Sequence, residues 1–91
     1  MICLLCRNRV GDYARWMAVF ASHEHAHQEA GLQLIKIWRS TDEPNNIFFL
    51  FDVASEELAR RFIEHPEAAG AAEASGVIDG EYYFIEDAGR Y

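Results

Sequence analysis

Positive charge is scarce in this sequence. Eight lysine and arginine residues stand against fifteen acidic ones, which gives a net charge of −7, and Lys36 is the only lysine. The basic residues form no run longer than Arg60-Arg61. Because a field of this sign repels a phosphate backbone, we expect no nucleic-acid partner.

Long hydrophobic runs are also missing. No apolar stretch approaches the roughly 20 residues that cross a bilayer, and the apolar residues at the N-terminus follow no basic segment, as those of a signal peptide would. We therefore expect no membrane partner and a cytoplasmic location.

Cysteine is limited to Cys3 and Cys6, whose spacing invites a redox or zinc interpretation. The segment is typical of a β-strand, in which a separation of three places side chains on opposite faces with Cα atoms about 10 Å apart, too far for a disulfide. No second cysteine pair exists to complete a zinc site. The pattern favours two small buried strand residues that stay reduced.

Aromatic residues, in contrast, are plentiful: six Phe, four Tyr and two Trp in 91 residues. A chain of this length forms one domain, here 1–91, and buries only roughly two-thirds of its unfolded surface. Such a surplus of aromatics is explained by a partner chain that covers part of it. The composition therefore favours a homodimer.

Hydrophobic periodicity predicts the element order β-α-β-β-α-β. The first helix follows an Asp12 cap and ends at Gly31, and the second follows a Ser55 cap, is interrupted at Pro66 and ends at Gly76. Its inner face is predicted to carry Leu58, Ala59, Phe62 and Ile63. The predicted strands and the resumed helix are 2–9, 32–40, 47–53, 77–86 and 67–75.

This order predicts an α+β fold, the ferredoxin-like sandwich, in which one four-stranded antiparallel sheet carries both helices on one face. The first and third strands are central in that topology. The third strand is apolar on both faces until Asp52, as expected of a strand covered on both sides. A second copy of the sheet is the simplest cover, which gives a dimeric α+β barrel.

The first helix is predicted to bury a face that runs from aromatic residues into histidines. At 100° per residue, one side carries Tyr13, Trp16, Met17, Phe20, His23, Glu24 and His27, whereas His25 points the other way. Two imidazoles on an inward face indicate either a polar pocket or a wet helix end. An imidazole suits proton transfer at neutral pH, since its ordinary pKa is about 6.5.

The segment His23-Glu24-His25-Ala26-His27 also matches the zinc-protease pattern H-E-x-x-H. A catalytic zinc site of that kind needs a third protein ligand and a cleft between lobes, for which a 91-residue α+β domain has little room. We therefore predict no metal site.

Four other polar side chains are weaker candidates. His65 shares a face with Leu58 and Phe62, so it either reaches the same pocket or simply ends its helix before Pro66. Asn8 lies on the first strand. Tyr82 and Tyr83 point to opposite sheet faces, so one of them can line a cavity.

Several local motifs resemble the dimeric α+β barrel superfamily, near its small antibiotic-biosynthesis-monooxygenase-like and cyclase-like proteins. The matching segments are Trp16-x-x-x-Phe20-x-x-His23, Gly31-Leu32, Arg39-Ser40-Thr41-Asp42-Glu43-Pro44-Asn45, Phe62-Ile63-Glu64-His65-Pro66-Glu67 and Ala74-Ser75-Gly76-Val77.

The resemblance implies a homodimeric enzyme that needs no cofactor, oxygenase-like or cyclase-like, acting on a hydrophobic aromatic small molecule between helices and sheet. In this interpretation the catalytic residues are His23 and His27, and the substrate-binding residues are Tyr13, Trp16, Phe20 and His65. The alternative is a non-catalytic homodimer that binds a small ligand or another protein, with structural histidines.

Overall fold

The structure is a computed structural model that describes residues 1–89. Its strands and helices are β1 (Ile2–Val10), α1 (Tyr13–Ser22), α2 (Glu24–Glu29), β2 (Leu32–Arg39), β3 (Asn46–Val53), α3 (Glu56–Glu64), α4 (Pro66–Ala74) and β4 (Val77–Glu86). The predicted strands are correct to within one residue at each end. No helix in this part of the chain is long and apolar enough to cross a membrane.

The four strands form one antiparallel sheet in the order β2-β3-β1-β4, so the first and third strands are central, as predicted. The helices pack on one face of the sheet. Along β3 the residues facing the helices are buried and those between them are half-buried. The ferredoxin-like α+β fold is thus confirmed, and residues 1–89 cover only one face of the sheet.

Local signals fix most element ends. The Asp12 carboxylate accepts a hydrogen bond from the Ala14 amide at 2.9 Å and so caps α1, and the Ser55 hydroxyl accepts one from Leu58 and caps α3. Gly31 and Gly76 follow α2 and α4 with φ values of 73° and 77°. A side chain at either position would be strained, which explains why glycine ends both helices.

The first predicted helix is not continuous, contrary to expectation. It breaks at His23, whose amide donates to the Phe20 carbonyl three residues back rather than to Val19. The Val19 carbonyl is instead taken by two side chains: Ser22 Oγ donates to it at 2.6 Å, and His23 Nδ1 lies 2.8 Å away. Side chains that compete for a main-chain carbonyl in this way end a helix early.

The second predicted helix breaks at Pro66, as expected. His65 has extended backbone angles (φ −69°, ψ 139°), as is usual for a residue before proline, and α4 starts at Pro66 itself.

Candidate functional site

A cavity of about 920 Å³ lies between the sheet and the helices and opens to solvent. Leu4, Cys6, Phe49 and Phe51 form its floor on the two central strands. The helices supply the opposite wall, including the predicted site residues Trp16, Phe20, His23, His27 and His65. Five of the six predicted site residues therefore line one space.

Tyr13, the sixth, does not line this cavity. It lies at the first position of α1, where its ring stacks on the Arg39 guanidinium with 3.9 Å between the guanidinium carbon and the ring centroid. A helical wheel gives the direction of a side chain but not its height along the helix, so it could not distinguish Tyr13 from Trp16.

Trp16 and Phe20 form the aromatic wall. Trp16 is 2% exposed, its ring stacks on Phe20 at 4.7 Å between centroids, and it contacts Phe49 at 5.4 Å. A flat face of this kind suits a planar apolar ligand.

Asn8 holds the Trp16 indole in place. With the amide oriented so that both of its ends find complementary partners, Oδ1 accepts from Trp16 Nε1 at 3.1 Å and Nδ2 donates to the Arg7 carbonyl at 2.9 Å. Asn8 lines the cavity but was not among the predicted site residues. The available signal was its place on the inward face of β1, in register with Leu4 and Cys6.

His23 lies at the break between α1 and α2 and reaches the cavity. A carbonyl oxygen only accepts hydrogen bonds, so the 2.8 Å contact with Val19 places a proton on Nδ1. Ser22 Oγ, 3.2 Å from the same nitrogen, donates its own proton to Val19 and can accept from Nδ1. The Nε2 atom of the neutral ring is then free to accept a proton.

His27 is packed among phenyl rings, with centroid distances of 4.9 Å to Phe20, 5.2 Å to Phe51 and 5.6 Å to Phe62. Burial lowers its pKa below 6.5, and positive charge on His23 lowers it further. Among residues 1–89 no side chain or backbone group hydrogen-bonds to its ring. It also lines a second, shallower groove of about 800 Å³ on the β2 side of the helices.

His65 lines the cavity and, as predicted, ends α3 before Pro66, because it is the C-cap of that helix. Its Nδ1 accepts a hydrogen bond from the Glu67 amide at 3.1 Å, so it caps the start of α4. Leu58, predicted on the inner face of α3, is 44% exposed and lines the cavity with Phe62.

Tyr82 and Tyr83 lie on opposite faces of β4, as predicted. Tyr82 lines the cavity, and the Tyr83 hydroxyl donates to Glu81 at 2.9 Å. His25 is exposed, is not among the residues that line the cavity, and pairs with Glu29 across one helical turn.

The zinc-protease pattern has no matching geometry. Its two histidines belong on one continuous helix, and here the helix is broken at the first of them. Within the described part of the chain, no group of three or more His, Cys, Asp or Glu side chains is placed to hold a metal ion.

Cys3 and Cys6 lie on opposite faces of β1, as predicted. Both are free thiols; Cys3 is half-buried, and burial raises the pKa of Cys6 to about 12. A thiol this hard to ionise is a poor nucleophile, so Cys6 contributes shape to the cavity floor.

Comparison with solved structures identifies the same fold in other proteins. A candidate antibiotic biosynthesis monooxygenase from Bordetella bronchiseptica is 13% identical, with a TM-score of 0.77 and 96% of both chains covered. SnoaB, a cofactor-independent oxygenase from Streptomyces nogalater, is 18% identical, with a TM-score of 0.75 and coverage of 98% of this chain and 94% of that one. A NIPSNAP domain protein from Burkholderia xenovorans is 11% identical, with a TM-score of 0.67 and coverage of 97% and 95%.

At identities this low, the TM-scores show a shared fold and nothing finer. The resemblance predicted from the sequence is confirmed at that level. No protein-family model and no curated protein sequence matches the chain.

Proposed function

We propose that this protein is a small enzyme, oxygenase-like or cyclase-like, that binds a hydrophobic aromatic molecule in the cavity and transforms it without a cofactor. The observation that carries the proposal is a single cavity of about 920 Å³, floored by apolar strand residues, which both His23 and His27 reach. A cavity of this size suits a small-molecule substrate. A fold shared with SnoaB, described as a cofactor-independent oxygenase, supports the same class.

In this proposal the general base is His23. Its Nδ1 proton is held by Val19, so the free Nε2 takes a proton from the substrate. The substrate anion that results supplies the electrons for reaction with dioxygen, or the nucleophilic carbon for a ring closure. The aromatic rings of Trp16 and Phe20 hold the planar substrate against the wall while this occurs.

His27 has a different role from His23. Its pKa is lowered by burial and by charge on His23, so it stays neutral when His23 becomes protonated. A neutral imidazole beside the base is a hydrogen-bonding partner that adds no charge to an apolar site. In this proposal His23 therefore takes up the substrate proton, while His27 stays neutral and carries no second charge.

The test combines ligand identification with turnover. Native mass spectrometry of the purified protein should reveal a bound small molecule, and oxygen uptake should be measured with a panel of hydroxynaphthalenes. His23→Asn should lower turnover at least about a hundredfold, the low end for a lost general base, and His25→Asn, the matched control on the exposed side, should leave it unchanged. Equal turnover in both variants, whether or not a ligand is found, would contradict the catalytic role of His23. The alternative, a non-catalytic module that binds a ligand, would then be favoured.

We further propose that a second copy of the chain covers the open sheet face. The apolar side chains there include Trp38, Tyr83 and Ile85, which are 41%, 53% and 43% exposed. The same face also carries ion pairs at one end of the central and edge strands, formed by Arg7 and Arg9 with Asp79 and Glu81. The register places Phe48 beside Trp38, and Leu50 beside Leu5, so these residues form one continuous patch.

The size of the face is consistent with a dimer. Four strands about 4.8 Å apart and eight to ten residues long span roughly 500 Å² in projection. Because side chains project from this plane, the accessible area is larger than the projected area. It approaches the roughly 800 Å² that each partner buries in a stable interface. The cytoplasmic location expected from the sequence stays a prediction.

A further inference from the structure

We propose that His23 and His65 hold opposite neutral tautomers and thereby select the ligand: one that offers a hydroxyl proton to His23 and a carbonyl oxygen to His65. The inference rests on the proposed function in one respect, that the cavity is the ligand site. The tautomers follow from the hydrogen-bond partners of each ring, and both rings line the same cavity.

The main chain fixes the tautomer of His23. Its Nδ1 is 2.8 Å from the carbonyl oxygen of Val19, a group that cannot donate. The proton of the neutral ring is therefore on Nδ1. The remaining nitrogen, Nε2, carries a lone pair and needs a donor.

The main chain fixes the tautomer of His65 in the reverse sense. Its Nδ1 is 3.1 Å from the amide nitrogen of Glu67, a group that cannot accept. The proton of the neutral ring is therefore on Nε2, which donates. The α4 cap requires this lone pair on Nδ1.

Both residues line the cavity, and in each ring Nε2 is the nitrogen that the main chain leaves available to a ligand. His23 is half-buried and offers an acceptor there, whereas His65 is exposed and offers a donor. A ligand that leaves either group unpaired forgoes a hydrogen bond and still displaces its water. The class favoured is an aromatic molecule bearing both a phenolic or enolic hydroxyl and a ketone.

Nitrogen NMR of the histidine side chains tests the tautomers without any ligand. At a pH where the rings are neutral, the His23 spectrum should show a protonated Nδ1 and the His65 spectrum a protonated Nε2. The exposed His25, whose Nε2 pairs with Glu29, is the internal reference. The same tautomer at His23 and His65 would overturn the inference whatever the cavity binds.

Asparagine variants separate ligand binding from folding. In His65→Asn the amide oxygen can still accept from Glu67, since asparagine is a strong N-cap, but the outer donor is gone. In His23→Asn the amide nitrogen can still donate to Val19, but the outer acceptor is gone. Unchanged thermal unfolding in both variants would verify that each replacement kept its main-chain bond, and loss of folding in either would contradict that assignment.

Binding is then measured by titration calorimetry with three bicyclic probes: 6-hydroxy-1-tetralone, the ketone alone (1-tetralone) and the phenol alone (tetrahydro-2-naphthol). The probe with both groups should bind most tightly. His65→Asn should weaken only the two ketones, and His23→Asn only the two phenols, each by about five- to tenfold, as expected for one hydrogen bond.

The outcomes distinguish the two proposals. If the probes bind but each variant affects all three equally or none at all, the donor–acceptor assignment is wrong and the cavity remains the ligand site. If no probe binds to the wild-type chain, the ligand class is wrong and the proposed function loses its support, even where NMR finds the expected tautomers.

Discussion

The imidazole of His23 occupies the carbonyl of Val19, which in a continuous helix would accept a hydrogen bond from the His23 amide. Nδ1 of His23 lies 2.8 Å from this oxygen, while the amide of the same residue donates to Phe20. One contact therefore has two consequences: it ends α1 at the start of the histidine segment, and it fixes the orientation of a ring that lines the cavity. The helix break and the candidate base have the same physical origin.

Removing the competing side chains should restore a continuous helix. In the double variant Ser22→Ala/His23→Ala nothing competes for the Val19 carbonyl, and alanine is the strongest helix former. We expect backbone chemical shifts of a single helix across residues 13–29 and slower hydrogen exchange at the amide of residue 23. Stability should change by less than about 1 kcal/mol. His25→Ala, a control in exposed α2, should leave the break intact; a break that persists in the double variant would show that the loop geometry, not the side chains, causes it.

The His27 environment predicts a pH-dependent stability. Its pKa is lowered in the folded chain, by burial first and by charge on His23 second, while the unfolded chain titrates near 6.5. Between the folded and the unfolded pKa the unfolded state binds more protons than the folded state. The stability that neutral His27 contributes is therefore fully present above pH 6.5 and is lost as the pH falls towards the folded pKa.

His27→Phe keeps an aromatic ring against Phe20, Phe51 and Phe62 without a titrating group. In urea unfolding, the variant should gain stability relative to wild type as the pH falls from about 7 to about 5. His25→Phe, exposed, should not show this trend. A constant difference between His27→Phe and wild type at every pH would mean that the pKa of His27 is the same in the folded and the unfolded chain, which would contradict this prediction.

Gly80 makes room for the Asn8–Trp16 contact. A Cβ built at this position would lie 2.6 Å from the Arg7 carbonyl oxygen and 2.7 Å from the end of the Asn8 amide. Gly80→Ala should therefore destabilise the fold by about 1–3 kcal/mol and change Trp16 fluorescence. Gly70→Ala, in α4 with nothing within 4 Å, is the control and should stabilise by about 0.5–1 kcal/mol. Loss of the same size at both positions would contradict the steric argument.

The two thiols should differ in reactivity. Burial raises the pKa of Cys6 to about 12, while Cys3 is half-buried on the open sheet face. In the folded protein at pH 8, iodoacetamide should modify Cys3 first and Cys6 only after denaturation. Mass spectrometry after denaturing alkylation without reductant should find two modified thiols, and a mass two daltons lower, from an internal disulfide, would contradict the strand geometry.

Local chemistry explains which features of the fold could be predicted. The Asp12 and Ser55 caps, Gly31, Gly76 and Pro66 act within a few residues of themselves, and the structure places each where the sequence indicated. The alternation of β3 likewise follows from its own residues.

The site could be predicted only in part, because a helical wheel gives the direction of a side chain and not the group that it contacts. The helical wheel placed Trp16, Phe20 and the two histidines on one face, and all four line the cavity. It could not show that His23 competes for a carbonyl, that His65 caps the following helix, or that Tyr13 meets Arg39 across the chain. Each of these depends on a contact between two groups that the periodicity of one segment does not contain.

The open sheet face predicts a dimer that one charge should dissociate. Leu50 lies near its centre, opposite Leu5 on β1 and Lys36 on β2. Leu50→Glu would bury a carboxylate in the interface of both copies, where the cost of desolvating the charge exceeds what a pair with Lys36 returns. Light scattering should give twice the 10.4 kDa chain mass for wild type at micromolar concentration and the single-chain mass for Leu50→Glu. Ala18→Glu, exposed on α1 away from the sheet, should remain dimeric. Alkylation of Cys3 should accelerate in Leu50→Glu, because its face would then be open to solvent, and a wild-type chain that is monomeric at these concentrations would contradict the barrel.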